Sequence, residues 1–189
     1  MRSEPDHARL GAFRPLNVEI SVTIAKRAAL FVPFVVMTWA LLLTWSARAQ
    51  EPVVANPTHA QMLQSKDPAL ARNKRLVYDF WREVIEAGHL DLAEKYLTER
   101  YIQHNPLVPT GRKGFVEFFS KLRTPTPIEP RVKTPIVAIL AEGDLVVISF
   151  LRELPEPKNP SKKYTSSSFD MFRIDKGRIA EHWDATLKP

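Results

Sequence analysis

The spacing of the apolar residues changes once along this chain, from a helical period to a strand-like alternation, and this order constrains the fold. Between Asp67 and Leu122 the apolar residues recur every three or four positions, which predicts helices. The later sequence alternates around two turn signals, Glu142-Gly143-Asp144 and Asp175-Lys176-Gly177, which predict two β-hairpins. Helices followed by an antiparallel meander predict an α+β fold with helices on one face of a sheet.

Three helices are predicted ahead of the sheet, and their ends are marked by capping residues. Asp67 is a suitable N-cap and Pro68 a suitable first helical residue, and Gly88 is the expected stop of this first helix. The second helix is predicted over His89–Leu97 and the third over Arg112–Leu122.

The strands are predicted on either side of the two turn signals. They cover Ile136–Ala141 and Leu145–Leu151 in one hairpin, and Tyr164–Ile174 and Arg178–Ala185 in the other. The segment Leu154–Pro160 contains three prolines and is therefore predicted to be a loop.

The turn of the second hairpin decides which side chains meet. A two-residue turn at Lys176-Gly177 would pair Asp170 with Trp183, whereas a three-residue loop ending in a left-handed Gly177 pairs Asp170 with His182. We favour the three-residue loop because glycine follows two residues that tolerate turns. Alternation then places Asp170, Phe172, Ala180, His182 and Asp184 on one face, and Met171, Arg173, Ile179, Glu181 and Trp183 on the other.

Asp170, His182 and Asp184 form a candidate proton-transfer group on that first face. Burial in a half-dry cavity raises the pKa of a carboxyl group toward the range of a base that acts on a carbon acid. A neighbouring carboxylic acid or imidazolium can stabilise the enolate that forms. The alternative is a salt-bridged group at the rim of the sheet with no chemical role.

Four further residues are candidates for contact with a substrate. The pair His104-Asn105 precedes Pro106 and can hydrogen-bond a ligand carbonyl, although Asn-Pro is also an ordinary turn. Trp81 lies on the buried face of the first helix, where its indole N–H can donate into a pocket or the ring can simply fill the core. Tyr101 belongs to the same segment as His104 and completes this set.

Several other chemistries receive little support from the sequence. The chain contains no cysteine, which excludes disulfides, thiolate metal sites and cysteine nucleophiles. Two histidines and an aspartate could form a metal site, but no short ligand spacing such as His-x-His is present, and we predict no metal. The serines of Ser166–Ser168 lack the flanking glycines of a nucleophile elbow and are interpreted as strand residues.

The net charge of +6 does not indicate a nucleic-acid partner. Residues 1–49 hold six Lys/Arg and three Asp/Glu, which leaves 21 against 18 on the remainder of the 189-residue chain. Because this excess is small and no basic stripe is interleaved with aromatic residues, we predict no nucleic-acid binding.

Residues 1–49 have the features of a leader and signal peptide. The basic pair Lys26-Arg27 precedes an apolar run over 28–45, and Ala47-Arg48-Ala49 follows with the small-x-small spacing that a signal peptidase accepts. Cleavage there would start the mature, exported protein near Gln50, in the periplasm or outside the cell. The alternative is an uncleaved anchor, since the run approaches the ~20 residues that span a bilayer.

The remainder is predicted to consist of a linker and one domain. Residues 50–66 contain Pro52 and Pro57 with little periodicity and are interpreted as a loose linker, in which His59 is expected to be solvated. Residues 67–189 form the predicted domain.

Four features of this domain resemble those of a known family. They are Phe80-Trp81, the segment Tyr101–Pro106, Gly111 and the hairpin Phe169–Asp184. Over about residues 70–186 the chain resembles the SnoaL-like polyketide cyclase family of the nuclear transport factor 2-like superfamily. The resemblance implies a cone-shaped α+β fold, in which three N-terminal helices and a curved antiparallel sheet enclose a pocket. Proteins of this family often form homodimers.

The resemblance also implies roles for the candidate residues. The named cyclases of the family run an intramolecular aldol condensation without a cofactor. Asp184 looks like their general acid/base residue, and His182 lies two positions before it, as in the cyclases. Asp170 occupies the position of their second polar residue, where the cyclases have histidine.

We therefore expect a cofactor-independent enzyme that acts on a small carbonyl compound as an aldol-type cyclase, lyase or isomerase. Asp184 is expected to be the base, Asp170 and His182 to share the proton, and His104 and Asn105 to orient the carbonyl. The alternative is a non-catalytic binding module for small molecules with the same pocket. Contact with a membrane is expected only through the signal segment, and a homodimer is the expected assembly.

Overall fold

The computed structural model describes residues 51–188. The predicted leader, the signal peptide and the start near Gln50 lie outside this range. No helix within residues 51–188 is both long and apolar enough to cross a membrane.

The described chain runs through short helices into a five-stranded sheet. The helical elements are α1 (His59–Met62), α2 (Pro68–Phe80), a π-helical segment (Trp81–Glu86), a 3₁₀ turn (Leu90–Leu92), α3 (Ala93–Tyr96) and α4 (Arg112–Phe119). The strands are β1 (Leu97–Gln103), β2 (Ile136–Glu142), β3 (Leu145–Glu156), β4 (Asn159–Asp175) and β5 (Arg178–Asp184). The predicted α+β class is confirmed.

The first predicted helix is confirmed at both ends. The Asp67 side chain accepts a hydrogen bond from the Ala69 N–H at 2.7 Å, and Pro68 is the first helical residue. The helix continues past Phe80 as the π-helical segment and ends before Gly88, whose φ of +75° suits glycine.

The sheet is unclosed and has the strand order β1-β5-β4-β3-β2. Strands β2 to β5 form the predicted antiparallel meander, whereas β1 pairs with β5 in parallel. This strand is a correction, because Leu97–Gln103 was predicted as the end of a helix and the turn after it. Its threonine, tyrosine and isoleucine suit a strand, and pairing with β5 supplies the hydrogen bonds that a helix would otherwise provide.

The prediction of a loop over Leu154–Pro160 is also wrong. Strands β3 and β4 stay paired through Leu154 with Tyr164 and Pro155 with Lys163. The β2–β3 pairing ends at Phe150, so β3 is an edge strand beyond that point, and a proline there costs no hydrogen bond on its open side.

The second hairpin has a two-residue turn in place of the predicted three-residue loop. Asp175 pairs with Arg178, and both turn residues have positive φ, +49° at Lys176 and +76° at Gly177, as a type I′ turn requires. An extra residue then enters β5, because Ile174 pairs with Ile179 but Arg173 pairs with Glu181. This bulge lies at Ala180.

The bulge restores the predicted faces for the end of the hairpin. Asp170 pairs with Asp184, and Phe172 pairs with His182, so all four side chains lie on one face, as predicted. The predicted pairing of Asp170 with His182 is wrong. Before the bulge the prediction fails. Ile179 was placed on the outer face, but it is fully buried opposite Ile174.

Part of the predicted linker packs on the domain. The Asn56 N–H donates to the Ile136 carbonyl at 2.7 Å, and Leu63 is only 5% exposed. His59 was expected to be solvated, but its Nδ1 lies 2.8 Å from the Tyr78 hydroxyl. The core lies between these helices and the inner face of the sheet.

Candidate functional site

A cavity of about 230 Å³ opens between the helices and the inner face of the sheet. Its apolar wall comprises Phe80, Trp81, Ile85, Val108, Phe115, Phe119 and Phe172. Its polar wall comprises Tyr101, Gln103, Asn105, Asp170, His182 and Asp184, with Arg123 at one side. Such a mainly apolar space with a few converging polar groups is typical of small-molecule sites.

Strands β4 and β5 bring Asp170, His182 and Asp184 together in this cavity. One ligand-type atom from each of the three side chains lies within 4.8 Å of those of the other two. The carboxylates meet because Asp170 and Asp184 are cross-strand partners, and His182 lies on the same face two residues before Asp184. The sequence alone predicted this grouping through a different hairpin register.

The hydrogen bonds of His182 define where a proton is held. Gln103 Oε1 accepts from the Asn105 backbone N–H at 3.0 Å, which identifies it as the oxygen of the amide. The same atom lies 2.7 Å from His182 Nδ1, so Nδ1 carries a proton. His182 Nε2 faces Asp170 Oδ1 at 2.9 Å. This contact needs a proton of its own, held by either the imidazolium or the carboxylic acid.

Asp184 is held as a carboxylate by its neighbours. Its Oδ1 accepts from the Thr186 N–H at 2.8 Å, and its Oδ2 accepts from Asn105 Nδ2 at 2.7 Å. Burial raises the pKa of Asp184, but the hydrogen bonds from Thr186 and Asn105 and the charge of His182 together bring it below its ordinary value. The predicted upward shift by desolvation is therefore wrong for Asp184.

Tyr101 presents a protonated hydroxyl beside the two carboxyl groups. Its side chain is almost fully buried, and its oxygen accepts a hydrogen bond from Gln103 Nε2 at 3.1 Å. Burial raises its pKa strongly, and the charges of Asp170 and Asp184 raise it further. The hydroxyl therefore keeps its proton, and none of residues 51–188 accepts a hydrogen bond from it.

Trp81 contributes an unpaired donor to the same wall. Its ring packs on Phe150, with the ring centroids 4.3 Å apart, and lines the cavity. Its indole Nε1 is buried and has no hydrogen-bond partner within residues 51–188. A buried N–H without an acceptor is costly, which favours an acceptor supplied by a bound molecule or water.

The predicted pair His104 and Asn105 is divided between the two faces of the sheet. Asn105 lines the cavity, where its side chain holds Asp184. His104 is not brought to the cavity: its Nε2 lies 3.0 Å from Glu181 Oε2, and its ring stacks on Trp183 on the outer face. Adjacent residues near a strand end point to opposite faces, and the helical interpretation of this segment concealed that alternation.

Gln103 is a site residue that the sequence analysis missed. It connects His182, Asn105 and Tyr101 through its single amide group. The available signal was its position two residues after Tyr101, which places both on one face once Leu97–Gln103 is known to be a strand.

The types and spacing of Asp170, His182 and Asp184 also suit a metal ion. Both ring nitrogens of His182 are engaged, one by Gln103 and the other by Asp170. A metal bound by His182 would have to displace one of these partners.

The family to which the chain belongs follows from comparison with known proteins. The model of the SnoaL-like polyketide cyclase family matches residues 75–186. No curated protein matches the chain.

Solved structures with a related fold have low sequence identity to the chain. A candidate polyketide cyclase from Acidithiobacillus ferrooxidans is 23% identical, with a TM-score of 0.44, 64% of this chain covered and 89% of the other. TsrD from Streptomyces laurentii is 20% identical, with a TM-score of 0.41 and coverages of 64% and 90%. An LEH-like epoxide hydrolase from M. tuberculosis is 16% identical, with a TM-score of 0.45 and coverages of 63% and 81%. Because the family model spans more than half of the chain, this protein belongs to the SnoaL-like polyketide cyclase family.

Proposed function

We propose that this protein is a cofactor-independent acid/base enzyme that acts on a small carbonyl compound as an aldol-type cyclase, lyase or isomerase. The observation that carries the proposal is the 2.9 Å contact between His182 Nε2 and Asp170 Oδ1, which requires a proton on one of the two atoms, in the same cavity as the ionised Asp184. A proton donor and a proton acceptor in one mainly apolar cavity are the two groups that enolisation needs.

In the proposed reaction Asp184 takes a proton from the carbon next to a carbonyl group. The C–H electron pair moves to the carbonyl oxygen, which becomes an enolate oxygen. The Tyr101 hydroxyl and the proton of the Asp170–His182 pair stabilise that oxygen. Return of the proton from Asp184 to another carbon completes an isomerisation. In an aldol condensation the enolate carbon instead attacks a second carbonyl carbon, the C=O π electrons move to the oxygen, and that oxygen takes up the proton that Asp184 holds.

The lowered pKa of Asp184 limits the substrates of such a reaction. A carboxylate with a depressed pKa is a weak base, so proton transfer to it from carbon is uphill and is fast enough only from relatively acidic carbon atoms. We therefore expect the reacting carbon to lie between two carbonyl groups, or next to one carbonyl that is strongly hydrogen-bonded. The volume of about 230 Å³ lies just below the ~300–1,000 Å³ of typical ligand cavities, which favours a small substrate.

Proton exchange with solvent tests this proposal without knowledge of the natural substrate. Small ketones, 1,3-dicarbonyl compounds, β-hydroxy carbonyls and unsaturated lactones would be incubated with the protein in D₂O, and loss of the α-proton signal followed by NMR. We expect accelerated exchange for at least one class, and a decrease of roughly 10²–10⁴-fold in the Asp184→Asn variant.

The Glu142→Gln variant is a matched control, because it also removes one acidic group but lies at the far turn of the β2–β3 hairpin. Its exchange rate should equal that of the wild type. Equal exchange in the wild type and in folded Asp184→Asn would remove Asp184 from the mechanism.

The second candidate function is a non-catalytic binding module. The hydrogen bonds from Thr186 and Asn105 to Asp184 favour it, because they also describe a carboxylate that only fixes the end of β5. Binding of carbonyl compounds with no acceleration of exchange for any of the four classes would support this function.

Export and homodimer formation are further parts of the proposal. Export is supported by the basic pair, apolar run and small-x-small site within residues 26–49. The homodimer is supported only by the family resemblance.

A further inference from the structure

A second, more open pocket of about 400 Å³ adjoins the cavity. The two spaces share Trp81, Ile85, Arg123 and Asp170 in their linings. Asp170 is therefore reached from both sides, and a molecule in the cavity can extend into this outer pocket.

Three cationic side chains from different parts of the fold line the outer pocket. Arg123 follows α4, where its backbone N–H bonds to the Phe119 carbonyl. Arg152 belongs to β3, two residues after the buried Phe150 and thus on the inner face of the sheet. Lys133 comes from the loop before β2.

The two arginine side chains are unpaired in the described part of the chain. Neither guanidinium makes an ion pair or hydrogen bond with any of residues 51–188, and the cross-strand partner of Arg152 is the uncharged Ser166. Lys133 differs from them, since its Nζ lies 3.0 Å from Glu129.

The acidic groups of the same pocket are engaged elsewhere. Glu86 accepts hydrogen bonds from the backbone N–H groups of Lys133 and Thr134, both at 2.8 Å, and from the Thr134 hydroxyl. Asp170 is paired with His182. The pocket thus holds two guanidinium groups that make no ion pair with any of residues 51–188, and its three cationic side chains outnumber its two acidic ones.

We propose that the protein takes substrates that carry a carboxylate group, which binds Arg123 and Arg152 in the outer pocket while the reacting carbonyl lies in the cavity. Guanidinium groups recognise carboxylates through paired, charge-assisted hydrogen bonds. An anionic group at this position also leaves Asp184 free to act on the carbonyl end. The inference rests on the proposed function for the position of the carbonyl, and on the unpaired arginines for the anion.

Oxo-carboxylic acids of three to eight carbons, compared with their methyl esters, test this inference. Binding to the full chain would be measured by NMR titration, which does not depend on turnover. At least one acid should bind about three- to tenfold more tightly than its ester, since the two arginines are solvent-exposed and their attraction is screened. Higher salt should reduce that preference.

Variants assign the preference to the outer pocket. Because Arg152 lines only the outer pocket, Arg152→Gln should weaken binding of the acid and leave binding of the ester unchanged. Arg123→Gln should weaken binding of the acid more than binding of the ester, because Arg123 also lines the cavity. Arg178→Gln is the matched control, because Arg178 is exposed at the turn of the second hairpin and lines neither pocket. It should preserve the preference.

The outcomes separate this inference from the proposed function. Acids that bind no better than their esters, or no acid that binds at about 10 mM, would overturn it. A preference retained in both arginine variants would overturn it as well. Preferred binding of acids without proton exchange would support it while removing the enzyme proposal.

Discussion

At the scale of single residues, the site depends on which groups hold protons at neutral pH. Gln103 fixes the proton on His182 Nδ1, and this leaves Nε2 to share a second proton with Asp170. Asp184 differs from Asp170 because it accepts two hydrogen bonds that favour its charged form. Two aspartates on one face therefore have different hydrogen-bond partners, an imidazole for Asp170 and two N–H donors for Asp184.

The hydrogen bonds of Asp184 predict a pH-dependent contribution to stability. Its pKa in the folded protein lies below the ordinary value of 3.8, so its contribution is fully present above about pH 5. It is lost as the pH falls through the folded-state pKa. The difference in unfolding free energy between wild type and Asp184→Asn should therefore shrink between pH 6 and pH 3, as measured by urea unfolding at each pH. A constant difference over this range would contradict the prediction.

The identities of the site residues were more predictable than their roles. Alternation in β4 and β5 was enough to place Asp170, His182 and Asp184 on one face. The direction of the Asp184 pKa shift depends on Asn105 and Thr186, which no sequence pattern connects to it. His104 was misplaced because its segment was interpreted as helix.

At the scale of elements, the π-helical segment is fixed to α3 by a buried carboxylate. Glu83 is 9% exposed, and its Oε2 accepts from the Tyr96 hydroxyl at 2.5 Å and from Lys95 Nζ at 3.0 Å. Burial raises the pKa of Glu83, but these two bonds and nearby cations bring it below its ordinary value. The same segment carries Trp81 and Ile85 into the cavity, so this network also positions one wall of the site.

Tyr96→Phe should destabilise the protein by about 1–3 kcal/mol, because it removes one hydrogen bond from a buried charged acceptor while keeping the ring. The free energy of unfolding measures this effect. Lys95→Gln is the comparison, since Lys95 is 59% exposed and its ion pair should contribute less than ~1 kcal/mol. Equal losses in the two variants would show that the buried hydroxyl is not the principal contact.

The second hairpin shows why its register could not be derived from the turn sequence. The motif Asp175-Lys176-Gly177 permits either loop length, and the choice depends on packing farther along β5. Ile179 is buried opposite Ile174, and the bulge at Ala180 then returns His182 to the inner face. The turn sequence alone cannot show that Ile179 and His182 are both buried on the inner face, which requires the extra residue between them.

The type I′ turn predicts opposite effects for two substitutions. Lys176→Asn should stabilise the hairpin by about 0.5 kcal/mol, because asparagine tolerates positive φ better than lysine does. Gly177→Ala should destabilise it by about 1 kcal/mol, since φ is +76° and the cost there is backbone strain alone. Thermal unfolding of both variants measures the pair. A neutral Lys176→Asn together with a destabilising Gly177→Ala would favour the three-residue loop, in which only Gly177 has positive φ.

At the scale of the whole molecule, the order of the chain was the most informative feature. Helices ahead of a meander predicted the layers and the position of the pocket between them. The parallel pairing of β1 with β5 could not be predicted from local sequence patterns, because it joins residues 97–103 to the last strand, far away in the sequence. That pairing places Gln103 beside His182 and so completes the site.

Export is the last prediction and concerns residues 1–49. Expression in a bacterial host should yield a protein that leaves the cytoplasm and starts near Gln50, because Ala47 and Ala49 provide the small residues that signal peptidase requires. N-terminal sequencing of the exported fraction measures the start. Ala49→Lys should block cleavage and leave a longer, membrane-retained chain, whereas Ala60→Lys, an exposed position in α1, should be processed normally. A wild-type chain that keeps residues 28–45 and stays in the membrane would instead establish the anchor.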